Sequence, residues 1–160
     1  MQSFHRFIAT GFYSGLTPFA PGTAGTLLAT VLLLAVLYFF PELEHYQYYF
    51  ALFVIGYSLL SVFSSKQVEL EWGKDDQRIV ADEMAGYWIT ILFLPWTFTS
   101  LLLGVILFRL FDITKPLGVR KMEDLGLGWG VMMDDVLAGV YANCSLRFLL
   151  YLFPVLIDLI

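Results

Sequence analysis

Four long apolar runs constrain this 160-residue chain more than any other feature. They cover 24–40 (AGTLLATVLLLAVLYFF), 46–63 (YQYYFALFVIGYSLLSVF), 84–108 (MAGYWITILFLPWTFTSLLLGVILF) and 136–157 (VLAGVYANCSLRFLLYLFPVLI). Each approaches the roughly 20 residues that a helix needs to cross a hydrocarbon core. Charged residues make up only 14% of the chain, against about a quarter in soluble domains, and 59% of it is apolar. The third run contains Pro95 followed by Trp96 and Thr97, which suits a break between two helices better than one continuous helix. The expectation is an all-α integral membrane bundle of about four to five membrane helices, two of them short or re-entrant. The length allows a single domain over 1–160 and no separate regulatory module.

Loop charge gives that topology an orientation, because cytoplasmic loops collect Lys and Arg. Arg6 precedes the first run, Lys66, Lys74 and Arg78 lie in 64–81, and Arg109, Lys115, Arg120 and Lys121 lie in 109–130. The segment 41–45 (PELEH), the turn at Pro95 and the C-terminus hold none. With five alternating helices, eight of the nine basic residues fall on one side, and the amino end is cytoplasmic. Arg147 alone lies inside a span, with Asp158 too far along the helix to pair with it. A soluble bundle with an unusually apolar core is the alternative. The aromatic residues, 18% of the chain and frequent near span ends, speak for the membrane.

Several classes are excluded or disfavoured. A net charge of −5 argues weakly against nucleic acid, whose binders normally carry a basic excess. The opening residues lack the basic head and cleavage site of a removable signal, so the chain is expected to begin at Met1. Cys144 is the lone cysteine, expected as a small buried apolar residue, and rules out an intrachain disulfide or cysteine-rich zinc site. The two histidines, His5 and His45, stand at opposite ends of the first span and cannot form a zinc cluster together.

The acids are more informative. Asp82-Glu83, Asp112 and Asp134-Asp135 all fall on the cytoplasmic side of the expected topology, at helix ends or just within helices. Carboxylates there are costly unless paired or metal-bound. Each pair taken singly also suits capping, Asp82 for the third helix and Asp134 for the fifth. Taken together, five carboxylates on three elements can supply the separated oxygen ligands that a hard dication, Mg²⁺ or Mn²⁺, requires. Arg109, Asp112 and Lys115 follow at three-residue intervals before Pro116, which marks a helix end. Two cations flanking an acid suit a phosphate bound beside a metal, and equally suit interfacial anchoring with an i,i+3 ion pair.

The segment 14–26 (SGLTPFAPGTAGT) leads into the first span. Ser14, Thr17, Gly22 and Thr23 could offer hydroxyls and backbone N–H groups to phosphate or glycerol oxygens at a helix amino end. Small residues that let helices pack closely in lipid are the competing reading. The Lys of a Walker loop is missing. Arg147 follows Cys144 too closely for a Cys-x5-Arg phosphatase loop, no second acid follows Asp112 as an aspartyl-phosphate motif needs, and neither histidine has the context of a nucleophile. Metal-activated water remains.

Four ordered stretches, GFYSGLTPFAPGTAGT at 11–26, IVADEMAGYWIT at 79–90, FRLFDITKP at 108–116 and GWGVMMDDVLAG at 128–139, resemble the phosphatidylglycerophosphatase A family. The resemblance implies Mg²⁺-dependent hydrolysis of phosphatidylglycerol phosphate to phosphatidylglycerol and inorganic phosphate, a step of phospholipid biosynthesis at the cytoplasmic face of a bacterial inner membrane. It also implies an active site beside the short or re-entrant helices. Asp82, Glu83, Asp134 and Asp135 would hold the metal, and Asp112 would complete the shell or act as base. Arg109 and Lys115 would neutralise the phosphoryl oxygens. A phosphatase for another lipid phosphate and a small transporter or lipid-binding membrane protein are the alternatives. The transporter predicts charges near the bilayer midplane, where only Arg147 lies.

Overall fold

The structure, a computed structural model, describes residues 2–155. Met1, Asp158 and positions 156–157 of the fourth apolar run lie outside the described residues. Within them the chain is all-helical: α1 Gln2–Ala9, α2 Pro21–Phe39, α3 Gln47–Trp72, α4 Ala81–Thr90, α5 Phe98–Thr114, α6 Val119–Met122 and α7 Trp129–Leu152. Short 3₁₀ turns at Ser14–Leu16 and Pro41–Tyr46 connect α1 to α2 and α2 to α3.

Two segments are long and apolar enough to cross a bilayer by themselves, Pro21–Phe39 and Pro41–Trp72. The first opens with Pro21 at a first-turn position, where its missing N–H has no intrahelical partner to lose. The second runs nine residues beyond its apolar stretch, so Lys66 sits within a helix and not in a loop; Gly73, at φ 103°, stops it. Leu52, Ile55, Ile106 and Phe148 stay exposed on the outer faces, an unusual amount of apolar surface for a chain in water.

α4 is the centre of the bundle. Ala81, Met84, Ala85, Tyr87 and Trp88 are all buried, with α7, α2 and α3 around them. The break foreseen at Pro95 begins earlier, because α4 ends at Thr90 and residues 91–97 run irregularly to α5. Irregular backbone shielded from water needs hydrogen-bond partners from protein. Asn143 Nδ2 donates to the carbonyls of Ile89, Thr90 and Leu92 at 3.2, 2.8 and 2.9 Å. Arg147 donates from Nη2 to the carbonyls of Leu92 and Phe93 at 2.9 and 3.0 Å, and from Nε to Asn143 Oδ1 at 2.8 Å. From the opposite side, Gln47 donates to the Leu94 carbonyl at 2.8 Å, and Glu44 Oε1 accepts from the Trp96 amide at 3.0 Å. The charge inside the last run therefore closes a helix break. Asn143→Leu, which leaves the Thr90 carbonyl without a partner while Ile89 keeps the Leu92 amide and Leu92 keeps Arg147, is expected to cost about 1–3 kcal/mol; an unchanged thermal midpoint in detergent would count against this account.

At the other end of the bundle the basic segments meet. Arg6 pairs with Glu71 at 2.6 Å, joining α1 to the end of α3, and Lys74 Nζ donates to the Glu123 carbonyl at 2.6 Å. α1 had no clear sequence signal; its Ala9 is buried with Val68, Ile79 and Val131.

Candidate active site

The chain reaches α4 through a tight approach. Asp76 accepts from Arg78 Nε at 2.7 Å and Nη2 at 2.8 Å, and these hydrogen bonds hold its carboxyl below the usual carboxylate range against a smaller opposing effect of burial. The Val80 amide then donates to the Ala9 carbonyl at 2.9 Å. Asp82 and Glu83 follow as the second and third residues of α4, where negative charge is favoured. The residue at the cap position is Val80, so Asp82 does not cap the helix. Asp134 and Asp135 are the sixth and seventh residues of α7, which begins at Trp129, so the capping reading fails for them as well.

What brings the two acidic segments together is a backbone crossing. A Cβ placed on Gly139 would overlap the Gly86 carbonyl, and one on Gly86 would come within 2.7 Å of the Asp135 carbonyl and 2.5 Å of the Phe108 ring. α4 and α7 therefore touch main chain to main chain. One turn away on each helix, Asp82, Glu83 and Asp135 each present a carboxylate oxygen, all within 4.8 Å of one another. Asp82 and Asp135 are buried, while Glu83 is partly open.

Arg109 and Asp112 flank this trio from α5. Arg109 Nη1 lies 2.7 Å from Asp112 Oδ2 and 3.8 Å from Glu83 Oε1. It is aligned to donate to neither, and Nε is also without a hydrogen-bond partner. The first turn of α2 closes the site: a Cβ on Gly22 would overlap Glu83 Oε1 and come within 3.0 Å of Arg109 Nη1. Backbone N–H groups of a first helical turn have no intrahelical acceptors. Ser14 Oγ donates to the Gly11 carbonyl at 2.8 Å and Thr17 Oγ1 to the Ser14 carbonyl at 2.9 Å, so both hydroxyls serve the turn leading to α2. Thr23 is half-buried in the first turn of α2.

Asp134 lies apart from the trio. Its Oδ2 accepts from Lys115 Nζ at 2.6 Å, and the same ammonium donates to Glu123 Oε1 at 2.5 Å. Burial works against the Lys115 charge, but the two carboxylates outweigh it and raise its pKa. Arg109, Asp112 and Lys115 thus divide, the first two beside the trio and the third holding Asp134.

The donor set fits a hard divalent cation. Asp82 Oδ1 and Glu83 Oε2 are buried without a hydrogen-bond partner, which is costly for carboxylates. All-oxygen ligands from two helices match the preference of Mg²⁺ over softer metals.

The profile of the phosphatidylglycerophosphatase A family matches residues 7–150. The chain belongs to that family. A phosphatidylglycerophosphatase A of Escherichia coli K12 is 33% identical over 154 residues, 93% of this chain and 85% of the relative. One of Haemophilus influenzae Rd is 36% identical over 140 residues, 86% of this chain and 83% of the relative. A Bacteroides thetaiotaomicron protein, provisionally named a phosphatidylinositol-3-phosphatase, is 48% identical over 139 residues, 84% of this chain and 86% of the relative. No solved structure matches. In this phosphatidylglycerophosphatase A family member three of the four ordered motifs supply every side chain of the trio and its flanking cation, and the stretch 11–26 supplies Gly22.

Three residues of the site region had no sequence signal. Glu69, buried on α3, accepts from the Asp75 amide at 2.9 Å and the Gly128 amide at 2.5 Å, tying together the approaches to α4 and α7. Glu123 shares Lys115 with Asp134. Tyr57, behind α4, donates to Met84 Sδ at 3.4 Å. Cys144 departs from expectation, being exposed on α7.

Proposed function

We propose that this chain hydrolyses phosphatidylglycerol phosphate to phosphatidylglycerol and inorganic phosphate, with Mg²⁺ held chiefly by Asp82, Glu83 and Asp135. The observation that carries the reading is the convergence of three carboxylates from α4 and α7 on Arg109 and the first turn of α2. When bound, the cation supplies charge neutralisation at the phosphoryl oxygens and a lowered pKa for the attacking water. Arg109 binds and orients the phosphate through its guanidinium, whose Nε and Nη1 make no hydrogen bond, and steadies charge developing on the phosphoryl oxygens. Gly22 lets the α2 backbone approach where a side chain would block it. Asp112, paired with that guanidinium, is the base in this reading and takes the proton of the attacking water. The water oxygen bonds to phosphorus as the bond to the lipid oxygen breaks, and the departing oxygen takes up the proton that Asp112 removed from the water, leaving as the alcohol beside inorganic phosphate.

The same reading makes 1–160 one domain with α2, α3, α4, α5 and α7 in the membrane, α4 being a short helix whose break is sealed by protein. The basic end would face the cytoplasm of a bacterial inner membrane. In support, Arg6, Lys74 and Lys115 share that end through their partners Glu71 and Glu123.

A second reading, hydrolysis of phosphatidylinositol 3-phosphate, is favoured by the name of the Bacteroides relative, and the trio and Arg109 serve any lipid phosphomonoester. Phosphate release from purified protein in detergent, with each lipid and with or without Mg²⁺, separates the two. Mg²⁺-dependent release at least tenfold faster from phosphatidylglycerol phosphate is expected. The reverse preference would transfer the proposal to the inositol lipid, and no release from either would overturn it.

A further inference from the structure

We propose that the apolar groove between α2, α3 and α4 is an acyl-chain subsite that holds one tail of the lipid whose phosphate is cleaved. This rests on the lipid phosphatase reading above. The groove has a volume of about 470 Å³, and its walls are hydrocarbon and aromatic side chains, Phe12, Leu33, Val36, Phe50, Phe53 and Trp88 among them. That volume lies within the range of ~300–1,000 Å³ typical of ligand sites. A water there would find few polar partners, so the space suits hydrocarbon.

Its position relative to the carboxylates names the occupant. Trp88 lies five residues beyond Glu83 on α4, about 7.5 Å along the axis. Leu33 and Val36 lie 11 and 14 residues beyond Gly22 on α2, about 16 and 21 Å along that helix. A lipid with its phosphate at Gly22 therefore has its tail where the groove runs. The wall between is continuous: Phe12 stands 6.5 Å from Tyr57, Tyr57 stands 5.0 Å from Trp88, and the Tyr57 hydroxyl reaches Met84, the neighbour of Glu83. Val36, Tyr46 and Tyr49 are exposed along the rim, which leaves a lateral opening toward the bilayer. General bilayer lipid fills crevices between membrane helices too, but this one starts a turn and a half from the trio.

The test compares kcat/KM for phosphatidylglycerol phosphate with long and with short acyl chains in mixed micelles. In Val36→Trp, at the half-open rim, and in Leu33→Trp, deeper in, the long-to-short ratio is expected to fall about tenfold through KM, the effect of two methylenes losing their buried place. An unchanged ratio in both variants, with wild-type thermal midpoints, overturns the subsite and leaves the groove to bulk lipid. A second measurement needs no turnover. Wild-type protein without Mg²⁺ is mixed with phosphatidylglycerol phosphate brominated at mid-chain, and with brominated phosphatidylcholine at the same mole fraction. Stronger quenching of tryptophan fluorescence by the phosphate lipid, lost in Trp88→Phe/Trp96→Phe, is expected, and equal quenching overturns the proposal. Selective quenching without any phosphate release would sink the phosphatase reading while leaving the groove standing.

Discussion

Asp135→Asn is expected to lower kcat on the order of 10³-fold, about 4 kcal/mol of transition-state stabilisation, while leaving the protein folded. The substitution keeps the shape of the side chain and removes its charge, so it tests the charge alone. Asp135 is buried with oxygens of Asp82 and Glu83 close by, and two of the neighbouring oxygens lack hydrogen-bond partners. Three carboxylates so placed repel one another until a cation joins them. The variant without metal should therefore be as stable as wild type or more so. Wild type should gain about 2.7 kcal/mol at Mg²⁺ a hundredfold above its dissociation constant, and the variant should lose that gain. Asp134→Asn provides the contrast, because Asp134 faces Lys115 and not the trio. Its effect on kcat should be nearer tenfold, with the Mg²⁺-dependent rise in thermal midpoint kept. If Asp134→Asn abolishes that rise and Asp135→Asn preserves it, the assignment of the ligands is reversed.

The split between those neighbours shows what the sequence could tell. Adjacent residues on a helix point about 100° apart, so an acidic doublet need not turn both members to one centre: Asp82 and Glu83 do meet, Asp134 and Asp135 do not, and the doublet alone does not say which case holds. Lys115 decides it, from just past the end of α5 and 19 residues away, a contact that no local pattern announces. The break after α4 divides in the same way. Pro95 marks that the third run cannot be one helix, but the early stop at Thr90 depends on Asn143, Arg147, Gln47 and Glu44 receiving the freed backbone groups from distant segments. Arg147 is an isolated charge in sequence and a backbone partner in the fold. Cys144 looks like core in an apolar run, yet faces outward, because an all-apolar helix carries no periodic mark of its inner face. One legible signal lies in a repeated spacing: Asp82-Glu-Met-Ala-Gly86 and Asp135-Val-Leu-Ala-Gly139 each place a glycine four residues after a carboxylate, on the same face one turn along.

That spacing carries the second large effect. Gly139→Ala is expected to destabilise the protein by about 3 kcal/mol and to lower kcat about a hundredfold, although the substitution adds one methyl group and touches no acid. Adding a methyl to a well-packed interior typically costs about 1–3 kcal/mol when side chains can move aside. Here the obstacle is the Gly86 main chain, which cannot rotate away, so the cost sits at the upper end. Relief requires α4 and α7 to separate, and the separation carries Asp82 and Glu83 away from Asp135 one turn further on. A displacement of about 1 Å at a reacting centre is enough for a hundredfold loss. Weaker Mg²⁺ binding, read from the metal-dependent shift in thermal midpoint, should accompany the loss, since the same distance sets both. Gly56→Ala is the control, a glycine inside α3 whose added Cβ meets nothing within 4 Å. Alanine is the better helix former by about 1 kcal/mol, so Gly56→Ala should be neutral or mildly stabilising with kcat unchanged. Equal behaviour of the two variants would mean that α4 and α7 do not bear on each other at this crossing, and that something other than backbone contact sets the distance between the carboxylates.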